Sequence, residues 1–205
     1  LAKAKSNRKS TNAQQALNSI LDEVRACQVC AEMLPLPPRP VLSVSAATKI
    51  LIIGQAPGKK VHEEGIPGQD KSGDTLCNWL GVSREQFLDN RVFGTMPMGF
   101  CFPGTKEGGG DFPPRPECAP LWHKPLREQL TKVKLTLIIG QYAIKTYLRS
   151  KKNLTETVRS FREYLPDHFP LVHPSPLNFR WQGKNPWFAD EVIPELQKRV
   201  RKIIS

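Results

Sequence analysis

Thr48-Lys-Ile-Leu-Ile-Ile-Gly-Gln-Ala-Pro-Gly58 is the stretch that decides the fold. Its isoleucine-rich run is too short for an independent helix, has no polar alternation, and stops at a glycine-bounded loop. That pattern predicts a strand buried on both faces of a parallel sheet. The loop Gly54, Gln55, Ala56, Pro57, Gly58 then sits at the strand's carboxyl end, where open α/β sheets place their ligands. Taken alone, the loop reads equally well as a plain strand-to-helix turn. Leu-Ile-Ile-Gly-Gln recurs at residues 137–141, so two buried strands end in the same turn. The repeat implies two βα units in one parallel sheet, an α/β fold.

The remaining elements follow outward. Thr11 or Asn12 is the expected cap of a helix through about residue 26, with Leu17, Ile20, Leu21 and Val24 as its core stripe. Pro35, Pro37, Pro38 and Pro40 predict an extended connection to the first strand. Residues 59–73, polar and glycine-rich, read as a loop. Ser72 or Asp74 is the expected cap of a helix over residues 75–80. A strand and its exit are predicted in 92–102, an irregular segment in 104–116, and a helix in 120–130. Helices over 143–148 and 155–164, a strand over 169–172 and a basic amphipathic helix over 186–204 complete the pattern. Residues 1–12, with Lys3, Lys5, Arg8 and Lys9 and no acid, read as a flexible basic arm. Residues 13–205 form one domain.

At 205 residues the chain is long enough for one α/β domain with a core of its own. Thirty Lys and Arg against 19 Asp and Glu give a net charge of +11. That balance favours a polyanionic partner, nucleic acid ahead of an anionic membrane. There is no apolar run of about 18 residues to span a bilayer. The start is basic and polar with no apolar core, so no secretory signal is expected, and the absence of Met at position 1 implies residues ahead of Leu1. Five cysteines with one close pair fit a reducing cytoplasm and a metal site better than a disulfide scaffold.

A second loop, His173-Pro-Ser-Pro-Leu-Asn178, follows the last predicted strand. Together with the first it offers backbone donors, an imidazole and nearby carboxylates. With the basic charge, this combination resembles the uracil-DNA glycosylase superfamily. Gly54-Gln-Ala-Pro-Gly58 is similar to that superfamily's first motif, and His173-Pro-Ser-Pro-Leu177 to its second. Cys27-x2-Cys30 with Cys101 and Cys118, the latter two separated by 16 residues, resembles the layout of its thermophilic iron–sulfur branch. The resemblance runs from Cys27 to the final helix.

It implies a three-layer α/β/α sandwich with a central, mainly parallel four-stranded sheet. It also implies a monofunctional DNA N-glycosylase that flips a base out of the stack, stabilises the leaving anion and leaves an abasic site. No lysine stands where a Schiff-base nucleophile is needed, so no lyase step is expected. His173 is the implied donor to a carbonyl oxygen of the leaving base, and Leu177 the wedge that fills the gap. Ser175 and Arg180 are the expected phosphate contacts, with Pro176 and Asn178 on the same DNA-facing loop. Trp181 packs either on DNA or on the sheet.

The departures are as informative. The superfamily usually activates water with a carboxylate in or just after the first motif, but Gln55 and Ala56 stand there. The remaining candidates are Glu63 or Glu64, then Asp70, with His62 as an alternative base or water-orienting group. The aromatic that stacks on uracil in the iron–sulfur branch falls at Gly68, and the asparagine that reads the pyrimidine edge falls near Pro97. A pocket without ring or reader is expected to discriminate poorly for plain uracil. It has room for a bulkier modified pyrimidine such as occurs in phage DNA, which would make the enzyme an anti-phage defence. Repair of uracil or a deaminated base is the alternative, and a non-catalytic DNA-binding module of the same fold a further one.

Cys27, Cys30, Cys101 and Cys118 supply four thiolates, a set that suits tetrahedral zinc or a [4Fe–4S] cluster. A lone CxxC is otherwise redox-active or inert. The resemblance favours the cluster. Cys77, inside a predicted helix, reads as a buried apolar residue. DNA is the expected partner, with no membrane, no obligate protein partner and a monomeric state.

Overall fold

The computed structural model describes residues 2–205, with side chains from residue 12 onward. Four strands, β1 (Ile50–Ile53), β2 (Phe93–Thr95), β3 (Leu135–Ile139) and β4 (His168–Leu171), form one sheet in the order β2-β1-β3-β4. Every pairing between them is parallel. All residues of β1 and β3 are buried. Because neighbouring side chains on a strand point to opposite faces, burial at every position means that both faces are covered. The result is the expected three-layer α/β arrangement. The repeated pentapeptide lies on adjacent strands one residue out of step, with Ile52 facing Leu137 and Leu51 facing Thr136.

The helices are α1 (Ala2–Arg25), α2 (Lys59–Glu64), α3 (Lys71–Leu80), α4 (Arg84–Leu88), α5 (Cys118–Gln129), α6 (Gly140–Tyr147), α7 (Leu154–Arg159), α8 (Phe179–Lys184) and α9 (Ile193–Ile204). α1 packs on α5, and α3 on α9. Leu17, Leu21 and Val24 of α1 are buried in the main core, with Ile20 partly buried beside them. Cys77 is buried within α3 as expected.

Several boundaries differ from the sequence reading. α1 begins at Ala2 rather than at a cap on Thr11 or Asn12, in keeping with the good helix formers Ala, Lys and Arg in that stretch. Apart from that helical backbone and Asn12, the expected basic arm lies outside the described residues. The segment 59–73 is not all loop. Lys59–Glu63 and Lys60–Glu64 stand four apart on a helical turn, at 3.9 and 3.7 Å, and Gly65 ends α2 in the left-handed region. α3 starts at Lys71 and is capped by Asp70, not by Ser72 or Asp74. A full capping box, Ser83 with Gln86, starts α4. The long final helix opens with a π-helical turn at Phe188–Val192.

Thr48, fully buried just ahead of β1, ties the sheet's amino edge together. Its hydroxyl donates to the Asn90 carbonyl at 2.6 Å and accepts from the Ser45 N–H at 3.0 Å. Thr48→Val keeps the shape and strands both partners. It is expected to cost about 1–3 kcal/mol, read as a lower urea midpoint at unchanged m-value.

Candidate active site

Strand order reverses at β1, with β2 on one side and β3 and β4 on the other. The chain leaves the carboxyl ends of β1 and β3 in opposite directions there, and that crevice is where open α/β sheets hold ligands. A cleft of about 400 Å³ opens at this point. Ile52 and Ile139 line its base. Gly54, Gln55, Ala56, Pro57 and Gly58 form one wall, and His173, Ser175, Leu177 and Asn178 the facing one. Gly68, Asp70, Ser72, Phe87, Pro97 and Asp111 close the ring.

The first loop is held by backbone. Met98 N–H donates to Gly54 O at 2.9 Å and Gly99 N–H to Gln55 O at 3.0 Å. Pro97, just before them, is buried and has no donor, and its carbonyl accepts from His123 Nε2 at 3.0 Å. His123 Nδ1 lies 2.6 Å from the Tyr147 hydroxyl. Nε2 therefore carries the proton, and the tyrosine donates to Nδ1. Burial pushes the His123 pKa down to about 4, so the ring is neutral at neutral pH.

The turn at Gly68–Gly73 that helps close the ring is close-packed. Asp70 caps α3, its Oδ1 accepting from Gly73 N–H at 2.8 Å. A Cβ on Gly73 would lie 1.9 Å from the Gly68 carbonyl oxygen, so only glycine permits this approach. Arg84 binds both Gly68 O and the Asp74 carboxylate. Gly68 has φ +75°, and a Cβ there would meet the Phe87 ring at 2.6 Å. The open space expected at Gly68 is thus already filled: Phe87, from α4, brings an aromatic ring to the cleft from another part of the chain.

His173 follows β4. Its carbonyl accepts from Asn178 Nδ2 at 2.7 Å, and the Ser175 hydroxyl accepts from Leu177 N–H at 3.3 Å, so the loop is folded on itself. Burial lowers the His173 pKa below its ordinary 6.5, while Asp70 and then Asp111 pull it back up. At neutral pH the ring is neutral and keeps one N–H to donate. Leu177 is 76% exposed at the rim, and Phe179 beyond it 58%.

Of the candidate carboxylates, the structure brings only Asp70 to the cleft. Glu63 and Glu64 point to solvent from α2 beside Lys59 and Lys60. His62 is buried against Phe102, with ring centroids 6.2 Å apart, and lies outside the cleft. Arg180 and Pro176 are exposed and do not line it. Trp181 packs edge-on against Trp187 and Phe188 and donates to Thr155 Oγ1 at 2.8 Å, which makes it a core residue. Sequence reasoning missed Asp111, Ser72 and Phe87 in the cleft wall. The one available signal for Asp111 was its place directly after Gly108, Gly109 and Gly110, where a turn ends.

A second, smaller cavity of about 20 Å³ is lined by Cys27, Cys30, Cys101 and Cys118 with Val24, Leu34, Phe100 and Trp122. All four thiols are free. Burial pushes Cys101 up to about 11 and Cys118 to about 12. Phe100 N–H points at Cys118 Sγ at 3.3 Å. Among the described residues no three His, Cys, Asp or Glu side chains are gathered closely enough to hold one metal ion. Among them, too, no helix is long and apolar enough to cross a membrane.

The family model of the uracil DNA glycosylase superfamily matches residues 43–197, which contain both loops and every residue of the cleft except Val41. Among solved structures, a candidate uracil DNA glycosylase from Methanosarcina acetivorans, determined by solution NMR, is 19% identical. It aligns with 79% of this chain and 94% of its own, at a TM-score of 0.44.

His123 gives the site a pH signature. The folded chain keeps it neutral down to about pH 4, whereas the unfolded chain protonates it near 6.5. Between those values the unfolded state binds more protons, so this part of the stability is complete above 6.5 and is lost as the pH falls toward 4. Urea unfolding across that window is expected to show a shallower slope in His123→Phe than in the wild type.

Proposed function

The chain belongs to the uracil DNA glycosylase superfamily, and on that footing we propose that it hydrolyses the N-glycosidic bond of a non-standard base turned out of DNA into the cleft, leaving an abasic site. One observation carries this reading: the sheet's switch point brings a neutral, half-buried histidine and a carboxylate to one cleft beside a loop of the first-motif type. Breaking the bond puts negative charge on the base and positive charge on the sugar. The His173 N–H suits the first, as a fixed donor in a partly water-excluded site. Asp70, held by its helix-cap bond, sets negative charge against the second. Leu177 stands clear of the surface, as a wedge that replaces the flipped base must. The net charge of +11 favours the phosphate backbone as partner.

A bulky modified pyrimidine, of the kind carried by some phage DNA, is the substrate class we favour, and anti-phage defence the corresponding role. The cleft volume lies in the range of about 300–1,000 Å³ that takes drug-sized ligands, and the Pro97 carbonyl is already engaged by His123. Excision of uracil or a deaminated base is the second reading. It is favoured by Phe87, whose ring gives the cleft the aromatic surface that Gly68 lacks. A non-catalytic module loses its main support, because the cleft is lined by carboxylates, Asp70 and Asp111, although the first motif has none.

The four cysteines line one small cavity, though they are not gathered closely enough to hold a single metal ion. They converge from three chain segments on one apolar cavity, and a backbone N–H already aims at one sulfur. We propose that they hold a [4Fe–4S] cluster, with zinc as the alternative, and that its contribution is to tie these segments together. Purified protein is expected to be brown, to contain iron and sulfide, and to lose its visible absorption in Cys101→Ser. Colourless protein carrying zinc would replace the cluster with the other group.

The activity is tested by mass spectrometry of bases released from uracil-containing, hypoxanthine-containing, phage-modified and ordinary DNA. The modified base is expected in the supernatant of the phage DNA. His173→Asn is expected to slow release by about 100- to 1,000-fold. Tight binding without release from any DNA would leave the non-catalytic module.

A further inference from the structure

The first motif carries an amide, Gln55, where the superfamily's pattern puts a carboxylate, yet that amide is not idle. Gln55 Nε2 donates to the carbonyl of Phe112 at 2.9 Å. Phe112 closes a small hairpin: its N–H donates to Gly104 O at 2.9 Å, and Thr105 pairs with Asp111. Lys106 N–H donates to Gly110 O at 2.9 Å across the glycine tip, where Gly109 and Gly110 have φ of +89° and +76°. The residue just before the tethered carbonyl is Asp111, which lines the cleft.

Asp111 is oriented as well as delivered. The Thr105 hydroxyl lies 3.1 Å from Oδ1. Oδ2 is the nearest atom to the place where Gly58 would carry a Cβ, at 3.7 Å. Gly58 is the last residue of the first loop. The carboxylate that the loop does not encode therefore arrives on top of it, from a segment more than fifty residues later. Asp70, on the turn that closes the ring, has one oxygen committed to the Gly73 N–H at the amino end of α3. Asp111 has no such helix end. Both carboxylates act on His173 against the downward effect of burial, Asp70 first and then Asp111.

We infer that Asp111 is the catalytic carboxylate that activates water, and that Gln55 is the positioning residue that delivers it. The inference rests on the glycosylase reading above. In the step, the C1′–N bond breaks and its electron pair leaves on the base, whose anion accepts a hydrogen bond from His173. The water oxygen bonds to C1′, its proton passes to Asp111, and the base takes up a proton from solvent.

The test is a single-turnover rate on uracil-containing duplex and on phage DNA carrying bulky modified pyrimidines, beside the Kd for a duplex with an abasic-site analogue. Asp111→Asn is expected to slow release by about 100-fold or more, with Kd within about threefold of wild type. Gln55→Ala is expected to slow it less, and the double variant to be no slower than Asp111→Asn alone, because the tether acts only through the carboxylate. Asp111→Asn at wild-type rate would overturn the assignment and leave the glycosylase reading standing. So would a loss of rate matched by a loss of binding, since that makes Asp111 a DNA contact. Strictly additive effects of the two variants would remove Gln55 from the role. A wild-type protein that releases no base from either DNA would overturn the reaction and this assignment with it.

Discussion

The carboxyl edge of the sheet depends on one strip of chain, residues 96–101, staying hydrogen-bonded to the end of β1. Met96 N–H donates to Ile52 O at 2.9 Å, and Met98 and Gly99 continue the ladder onto Gly54 and Gln55 after regular pairing has stopped. The donor residues Met96, Met98 and Gly99 are buried, so each lost bond costs the desolvation of its donor as well as the bond. Pro97 interrupts the strip without leaving an orphan donor. Its lone acceptor is met by His123, a ring that burial keeps neutral. The first loop is therefore shaped from behind by a satisfied polar network rather than by its own side chains.

The same strip reaches the cysteine cavity. Phe100 gives its N–H to Cys118 Sγ and its carbonyl to Val41 N–H at 2.7 Å, and Cys101 is the next residue. Arg39, two residues before Val41, sends its guanidinium to the carbonyls of His62 and Glu63 at 2.8 and 2.5 Å. Those carbonyls lie at the negative end of α2, whose amino end is Gly58. A Cβ on Gly65 would meet the same guanidinium at 2.6 Å. The first loop is thus bounded at both ends by contacts that originate beside the thiols. Cavity and cleft share a stretch of chain, since Pro38 and Pro40 line the first and Val41 the second.

Much of this was legible in the sequence because burial writes a period into it. The repeated Leu-Ile-Ile-Gly-Gln marked two strands buried on both faces, and parallel topology alone then put Gly54–Gly58 and His173–Asn178 at one edge. Local electrostatics was harder to read. α2 is built from two Lys–Glu pairs with little apolar pattern, so a polar, glycine-flanked stretch looked like loop. The role of Asp70 as a cap shows only once Gly68 and Gly73 are seen to touch. Phe87 and Asp111 were out of reach for a different reason. Each comes to the cleft from a segment whose own pattern concerns another job, a helix face for Phe87 and a hairpin tip for Asp111. Position in space, not spacing in sequence, recruits them.

That recruitment has a physical limit, which makes sense of Gln55 and Ala56. The cleft already gathers Asp70 and Asp111 around one neutral histidine. A third carboxylate in the first loop would crowd like charges, and one of the three would be driven to hold a proton. It would also raise the His173 pKa further, toward a charged ring whose N–H is no longer a neutral donor. A neutral amide at position 55 avoids both effects and, by bonding to Phe112, fixes the hairpin that bears one of the two remaining charges. An alanine at 56 adds no polar atom that the narrow loop would have to satisfy. In a parallel sheet, where every βα loop opens on the same edge, a charge can be moved from one loop to its neighbour without moving it in space.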